Sequence, residues 1–171
     1  GEGESFSFYQ PHLEFDHKKV NQIARDLGIK LIGHHETGTQ IKNYESQLEK
    51  AFKYCQDNNI SIVKTGYIND GNQNIKRIDE NGNLKLEWHH GQYMIEHFRK
   101  VLETAAKYEI SLIMNQSIKN TGLRRTFPNL LTSKGGRGQE FNGFMPKDFN
   151  NKPDHVTILP FTRLLSGPMD Y

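Results

Sequence analysis

The largely apolar run Ile29 to Gly33 ends abruptly in His34-His35-Glu36-Thr37-Gly38. Such a run reads as a buried strand, and a polar cluster at its carboxyl end is where alternating β/α folds place their chemistry. The pattern recurs at Ile60–Tyr67 and at Ile110–Met114, the latter ending in Asn115-Gln116. Each run follows a stretch with helical spacing. The first has Asp16 as N-cap, Val20, Ile23, Ala24 and Leu27 on one face, and Gly28 as the stop. In the second, Asn43 is the expected cap and Leu48, Ala51, Phe52 and Cys55 form the face, closed by Asp57-Asn58-Asn59. The third spans Gln92 to Tyr108, with Met94, Ile95, Phe98, Val101, Leu102 and Ala105 inward.

Strands and helices that alternate with short joins imply a parallel sheet with right-handed crossovers. The 171 residues suit one domain, but three or four units do not close an eight-stranded barrel, which takes ~250 residues. The chain is therefore a small open α/β sheet or a piece of a barrel, and its bare ends favour the piece. The expected fold class is α/β, with parallel β/α units forming part of a (β/α)8 TIM barrel across residues 1–171. Residues 69–87 depart from the rhythm. Asn74–Ile78 and Asn83–Glu87 flank Glu80-Asn81-Gly82, and Asn-Gly is a strong hairpin signal, so a hairpin-like insertion is expected there. Ser117–Asp154 reads as a long, Gly-rich functional loop. Val156–Leu159 reads as a last strand.

Composition excludes several classes. The 22 basic and 20 acidic residues leave a net charge of +2, too little to argue for nucleic acid. A mean hydropathy of −0.76 fits a chain with long polar loops. Cys55 stands alone, which excludes an internal disulfide and a cysteine-based zinc site; on a helix face it reads as a small core residue. No run approaches the ~20 apolar residues of a membrane span. No leader is visible, and the start at Gly1 marks a processed or cut product.

Glu36 and Glu140 are the carboxylates that a fold of this kind could bring to one rim. Two carboxylates across a sugar hydrolyse glycosides, one as acid and the other as base or nucleophile. Taken singly, glutamates are usually solvated surface residues. The Gly135–Gly138 run lacks the Lys-Ser/Thr ending of a phosphate-binding loop, and no apolar strand leads into it. In His34-His35 and His89-His90, neighbours on an extended strand point opposite ways, so at most one of each pair faces a common site. A histidine metal cluster is not expected.

Seven motifs occur in order: His34-His35-Glu36-Thr37, Asn43-Tyr44-Glu45, Val63-Lys64-Thr65-Gly66-Tyr67, His89-His90-Gly91-Gln92, Thr121-Gly122-Leu123-Arg124-Arg125-Thr126-Phe127-Pro128-Asn129, Arg137-Gly138-Gln139-Glu140 and Leu159-Pro160-Phe161-Thr162-Arg163. Together they resemble glycoside hydrolase family 97, bacterial α-glucosidases and α-galactosidases. The likeness covers nearly the whole chain, least at 68–87. It implies the middle of the catalytic barrel of a longer chain with further domains, a periplasmic or secreted location, and an oligosaccharide substrate, either an α-glucoside or an α-galactoside. By the same resemblance Glu140 is the general acid and Glu36 the general base of an inverting, exo-acting α-glucosidase. Retaining members carry an aspartate nucleophile where this chain has Gly66. His34, Gln116 and Arg125 are second-rank candidates for substrate contact.

The family binds calcium through glutamates at the positions of Gln116 and Lys134. An amide at one and an ammonium at the other weaken and oppose a calcium site, so calcium is expected to be lost or weak. A sugar-binding relative that has lost its calcium site and with it efficient catalysis is the alternative, and a free-standing α/β domain without a sugar role is the third. If the inverting reading holds, the two carboxyls lie roughly 6.5–9.5 Å apart, leaving room for a water.

Overall fold

The computed structural model describes residues 6–66, 74–144 and 146–171. The first five residues, the expected strand end at Tyr67 and the 69–73 part of the expected insertion lie outside the described residues. The first helix, α1 (His17–Asp26), is capped as its sequence requires: Asp16 Oδ1 accepts a hydrogen bond from the Lys19 amide at 3.0 Å. Gly28 follows at φ +66°, a left-handed stop. Of the four residues expected inward, only Ala24 is buried, while Ile23 and Leu27 are exposed. The following strand, β1, is Ile32–His35, displaced from the expected Ile29–Gly33. The reason is local. The Ile29 amide donates to Ala24 O at 2.8 Å, so residue 29 still serves the helix end.

Helix α2 (Ile41–Asp57) begins at Gln40 rather than at Asn43. Asn43 instead lies in its first turn and donates from its amide to Phe6 O at 3.0 Å, tying down the N-terminal segment. Strand β2 (Ile62–Thr65) follows. Then β3 (Asn74–Ile78) and β4 (Leu84–Trp88) pair antiparallel. Their turn is fixed by Asp79, whose carboxylate accepts from the amides of Asn81 and Asn83 at 2.9 and 2.8 Å. Helix α3 (Gln92–Lys107) and strand β5 (Ser111–Met114) agree with the expected periodicity.

Two expectations fail downstream. A strand, β6 (Leu130–Ser133), lies inside the segment read as one long loop, after the one-turn helix α4 (Leu123–Thr126). The run read as a last strand instead belongs to α6 (Pro153–Ile158) and a following 3₁₀ turn, beyond the short α5 (Phe141–Phe144). Pro153 at the helix start fixes φ, and Asp154 favours the first turn. Those two signals outweigh the β-branched character of Val156, Thr157 and Ile158.

The main sheet is parallel throughout, in the order β1-β2-β5-β6. Residues alternate across it. Gly33, His35, Val63, Thr65, Leu112 and Met114 share the parity that the helices cover, and Ile32, His34, Lys64 and Ile113 share the other. Helices α2 and α3 pack against each other on the covered side, with Tyr44, Leu48, Phe52, Met94, Phe98 and Leu102 all 2% exposed or less. This layer sets where the strand ends lie. Phe52→Ala in the full-length protein is therefore expected to cost about 3–5 kcal/mol in chemical denaturation.

Candidate active site at the strand ends

The four parallel strands stop almost level, so the residue after each one lies on a common rim. These are Glu36, Gly66, Asn115 and Lys134. Three backbone hydrogen bonds continue the ladder across the rim. The Gly66 amide donates to His35 O at 3.1 Å, Asn115 to Thr65 O at 2.9 Å, and Lys134 to Met114 O at 2.8 Å. Beyond the rim opens a cavity of about 370 Å³ lined by His89, His90, Gln116, Lys134, Arg137 and Glu140, among others.

Charge in this cavity centres on one contact: the Lys134 ammonium donates to Glu140 Oε1. That hydrogen bond holds the Glu140 carboxyl below the usual glutamate range, with the charges of Lys134 and Lys64 adding to it. Lys64 in turn pairs with Asp170 at 2.7 Å. A group that donates a proton near neutral pH works best with a raised pKa, whereas here Glu140 is held ionised. Arg137 is engaged as well. Its guanidinium stacks 4.6 Å from the Phe141 ring centre and donates to Phe149 O. His90 Nδ1 accepts from the Lys119 amide at 3.3 Å, and burial together with the Lys119 charge lowers the pKa of that imidazole. His89 is buried.

Gln116 adopts φ +46°, an uncommon left-handed backbone for a residue with a side chain. Its Oε1 is buried without a hydrogen-bond partner among the described residues. An amide oxygen and an already paired ammonium are a poor donor set for calcium, which takes six to eight oxygens, several of them anionic. Among the described residues no three His, Cys, Asp or Glu side chains are grouped closely enough to hold an ion. The residues facing this cavity do not fit a calcium ion.

Of the expected site residues, the structure brings Glu140, Gln116 and Lys134 into one cavity. Glu36 sits half-buried on the rim beside buried Thr37 and is not among the residues that line that cavity. His34 is exposed and lines a different, apolar cavity of about 310 Å³ with Phe6, Phe15 and Tyr54. Arg125 is exposed on α4, away from the Glu140 cavity. By residue type His89 and His90 read as rim residues or sugar contacts, and Arg137 carried no assigned role; all three line this cavity. Their signals were the adjacent histidines and an arginine three residues before Glu140. His34 and His35 do diverge as neighbours on a strand must, one exposed and one buried.

Gly66 is tightly held. It has φ +85°, and a Cβ built there would lie 2.9 Å from Asn115 O.

Comparison with known proteins agrees with this geometry. Residues 1–136 match the sequence profile of the family described as Glycoside hydrolase 97. Three solved structures of a family 97 enzyme from Pseudoalteromonas sp. strain K8 align with a TM-score of 0.90 at 46% identity, over 98% of this chain and 25% of theirs. One is a variant, one a complex with acarbose, and one a variant in complex with panose. A protein of Bacteroides thetaiotaomicron named retaining alpha-galactosidase is 38% identical over 72 residues, which is 42% of this chain and 11% of that protein. The chain thus spans about a quarter of the length of its structural relatives.

The Lys134 contact gives a direct expectation. Observed by carbon NMR, the Glu140 carboxyl should titrate below an ordinary glutamate, and Lys134→Met should move its midpoint upward. Because the folded-state value is the lower one, the pair's stabilisation is full above the ordinary glutamate range and is lost as pH falls through the depressed value. An unchanged midpoint in the variant would refute the pairing.

Proposed function

Because the chain belongs to glycoside hydrolase family 97, we propose that it forms the middle of a (β/α)8 catalytic barrel in an exo-acting, α-glucosidase-like enzyme. The match over residues 1–136 carries this reading. The level rim of strand ends supports it, since that is the edge at which β/α barrels place catalytic groups. In this reading Glu36 is the base that activates a water, and Glu140 is the acid that protonates the leaving oxygen. In the same reading Gln116 contacts the sugar, and its place in one cavity with Glu140, His89 and His90 supports that role. The relatives' complexes with acarbose and panose favour an oligosaccharide as the ligand class.

The Bacteroides relative is named as a retaining enzyme, which argues against inversion. Gly66 argues for it. By resemblance, retaining members place their nucleophile at this position, and here a side chain would meet Asn115 O at 2.9 Å. The second reading, a sugar-binding relative with impaired catalysis, is favoured by the Lys134–Glu140 pair. To donate a proton, Glu140 has to leave that ammonium or have its charge offset by substrate. We further propose that the protein works without calcium, given the donors at positions 116 and 134.

The test is hydrolysis of an aryl α-glucoside by the full-length protein, with added calcium or with chelator. Glu36→Gln and a natural α-linked oligosaccharide cover the base and the unactivated leaving group. Turnover indifferent to chelator is expected. Glu140→Gln should lower kcat on the oligosaccharide by about 10²–10⁴-fold, and proton NMR should show the β-anomer formed first. Initial formation of the α-anomer would overturn inversion, and activity abolished by chelator would overturn independence from calcium. Sugar binding without turnover would establish the second reading.

A further inference from the structure

We propose that His35, Tyr44 and Thr65 form a positioning relay that fixes the backbone from which Glu36 projects. The proposal rests on Glu36 being the catalytic base.

His35 and Thr65 are register partners and the last residues of β1 and β2. Between them lies Tyr44 from α2, whose side chain is completely buried. Thr65 Oγ1 donates to Tyr44 Oη at 3.0 Å, and Tyr44 Oη lies 2.9 Å from His35 Nδ1. On the far side of the ring, His35 Nε2 is 3.7 Å from Cys55 Sγ. One direction of protons satisfies the whole chain: threonine to tyrosine, tyrosine to Nδ1, and Nε2–H toward the sulfur. That arrangement requires a neutral imidazole. Burial supplies it, pushing the His35 pKa down to about 3 with help from His34. The ring is also gripped by Phe8 and Phe52, whose ring centres are 5.6 and 5.7 Å away.

Ring packing alone does not call for the polar atoms on Tyr44 and Thr65. What they add is direction. β1 contributes only four residues to the sheet, so few backbone hydrogen bonds hold its last residue in place. The relay ties it to β2 and α2 through side chains, while the Gly66 amide ties it through His35 O. Glu36 is the next residue, so its Cα is set by groups that do not touch the cavity. A base displaced by a fraction of an ångström loses rate while binding is kept.

The experiment is a double-mutant cycle in the full-length protein, with an aryl α-glucoside as substrate. Tyr44→Phe removes one oxygen and keeps the ring; Thr65→Val is a second break in the same relay, used if the first variant does not fold. Each is made in the unsubstituted protein and in Glu36→Gln. We expect kcat to fall about tenfold with KM within about twofold in the unsubstituted protein, and no further fall in Glu36→Gln, since groups acting through one residue are not additive. An equal fall in both backgrounds, or none in the first, overturns the relay while leaving the base assignment standing. Full activity in Glu36→Gln, or no turnover in the unsubstituted protein, overturns the base assignment and the relay together.

Discussion

Level parallel pairing is the constraint from which the rest of this structure follows. Ile32 to His35, Ile62 to Thr65 and Ser111 to Met114 run side by side without offset, so three strands reach their ends at one height. β6 joins them despite an irregularity opposite Leu112 and Ile113. A one-residue slip would turn each side chain to the opposite face of the sheet. The buried row of Val63, Leu112 and Met114 forbids that, because the slip would bring Lys64 against Phe52 and Phe98. Core packing thereby determines which residues stand on the rim.

Much of this was legible before any coordinates. Amphipathic spacing located α2 and α3, because their apolar faces meet each other in a dry core and nothing competes with the pattern. The polar residues after each apolar run were readable for the same reason. Three features were not. β6 has no long amphipathic helix directly before it and is flanked by Pro128-Asn129 and Gly135-Gly136, so the helix-then-strand rhythm that marked the other strands is missing. Val156 to Leu159 has strand-forming residues, but a proline and an aspartate before them start a helix. Which cavity His34 reaches depends on tertiary placement, which the alternation along a strand does not give by itself. Arg125 shows the same limit: two adjacent arginines are distinguishable only once α4 turns Arg124 inward toward Leu130 O and Leu131 O.

The electrostatics around Glu140 are dominated by one residue. Lys134 follows β6 directly, so the backbone aims a cation at the carboxylate six residues on. Lys64 and Asp170 extend the alternation of charge on the same side of the sheet. A cavity organised by an ammonium differs from one organised by a divalent ion. Lysine offers three donors and no coordination sphere, so it fixes Glu140 without drawing further carboxylates together. Gln116 Oε1 is then a buried acceptor without a hydrogen-bond partner among the described residues.

Gly66 closes a route as well as a space. Exchange of the chemistry on a rim is often pictured as a matter of single residues, each strand end varying on its own. Here the left-handed turn after β2 and the Asn115 carbonyl of the neighbouring strand occupy the volume that any side chain would need. A change to aspartate would therefore act on two strand ends together, forcing the peptide after β5 to move and with it the unusual backbone of Gln116. Neighbouring positions on this rim are thus coupled: a side chain at 66 has to be accommodated by a shift of the turn at 115–116.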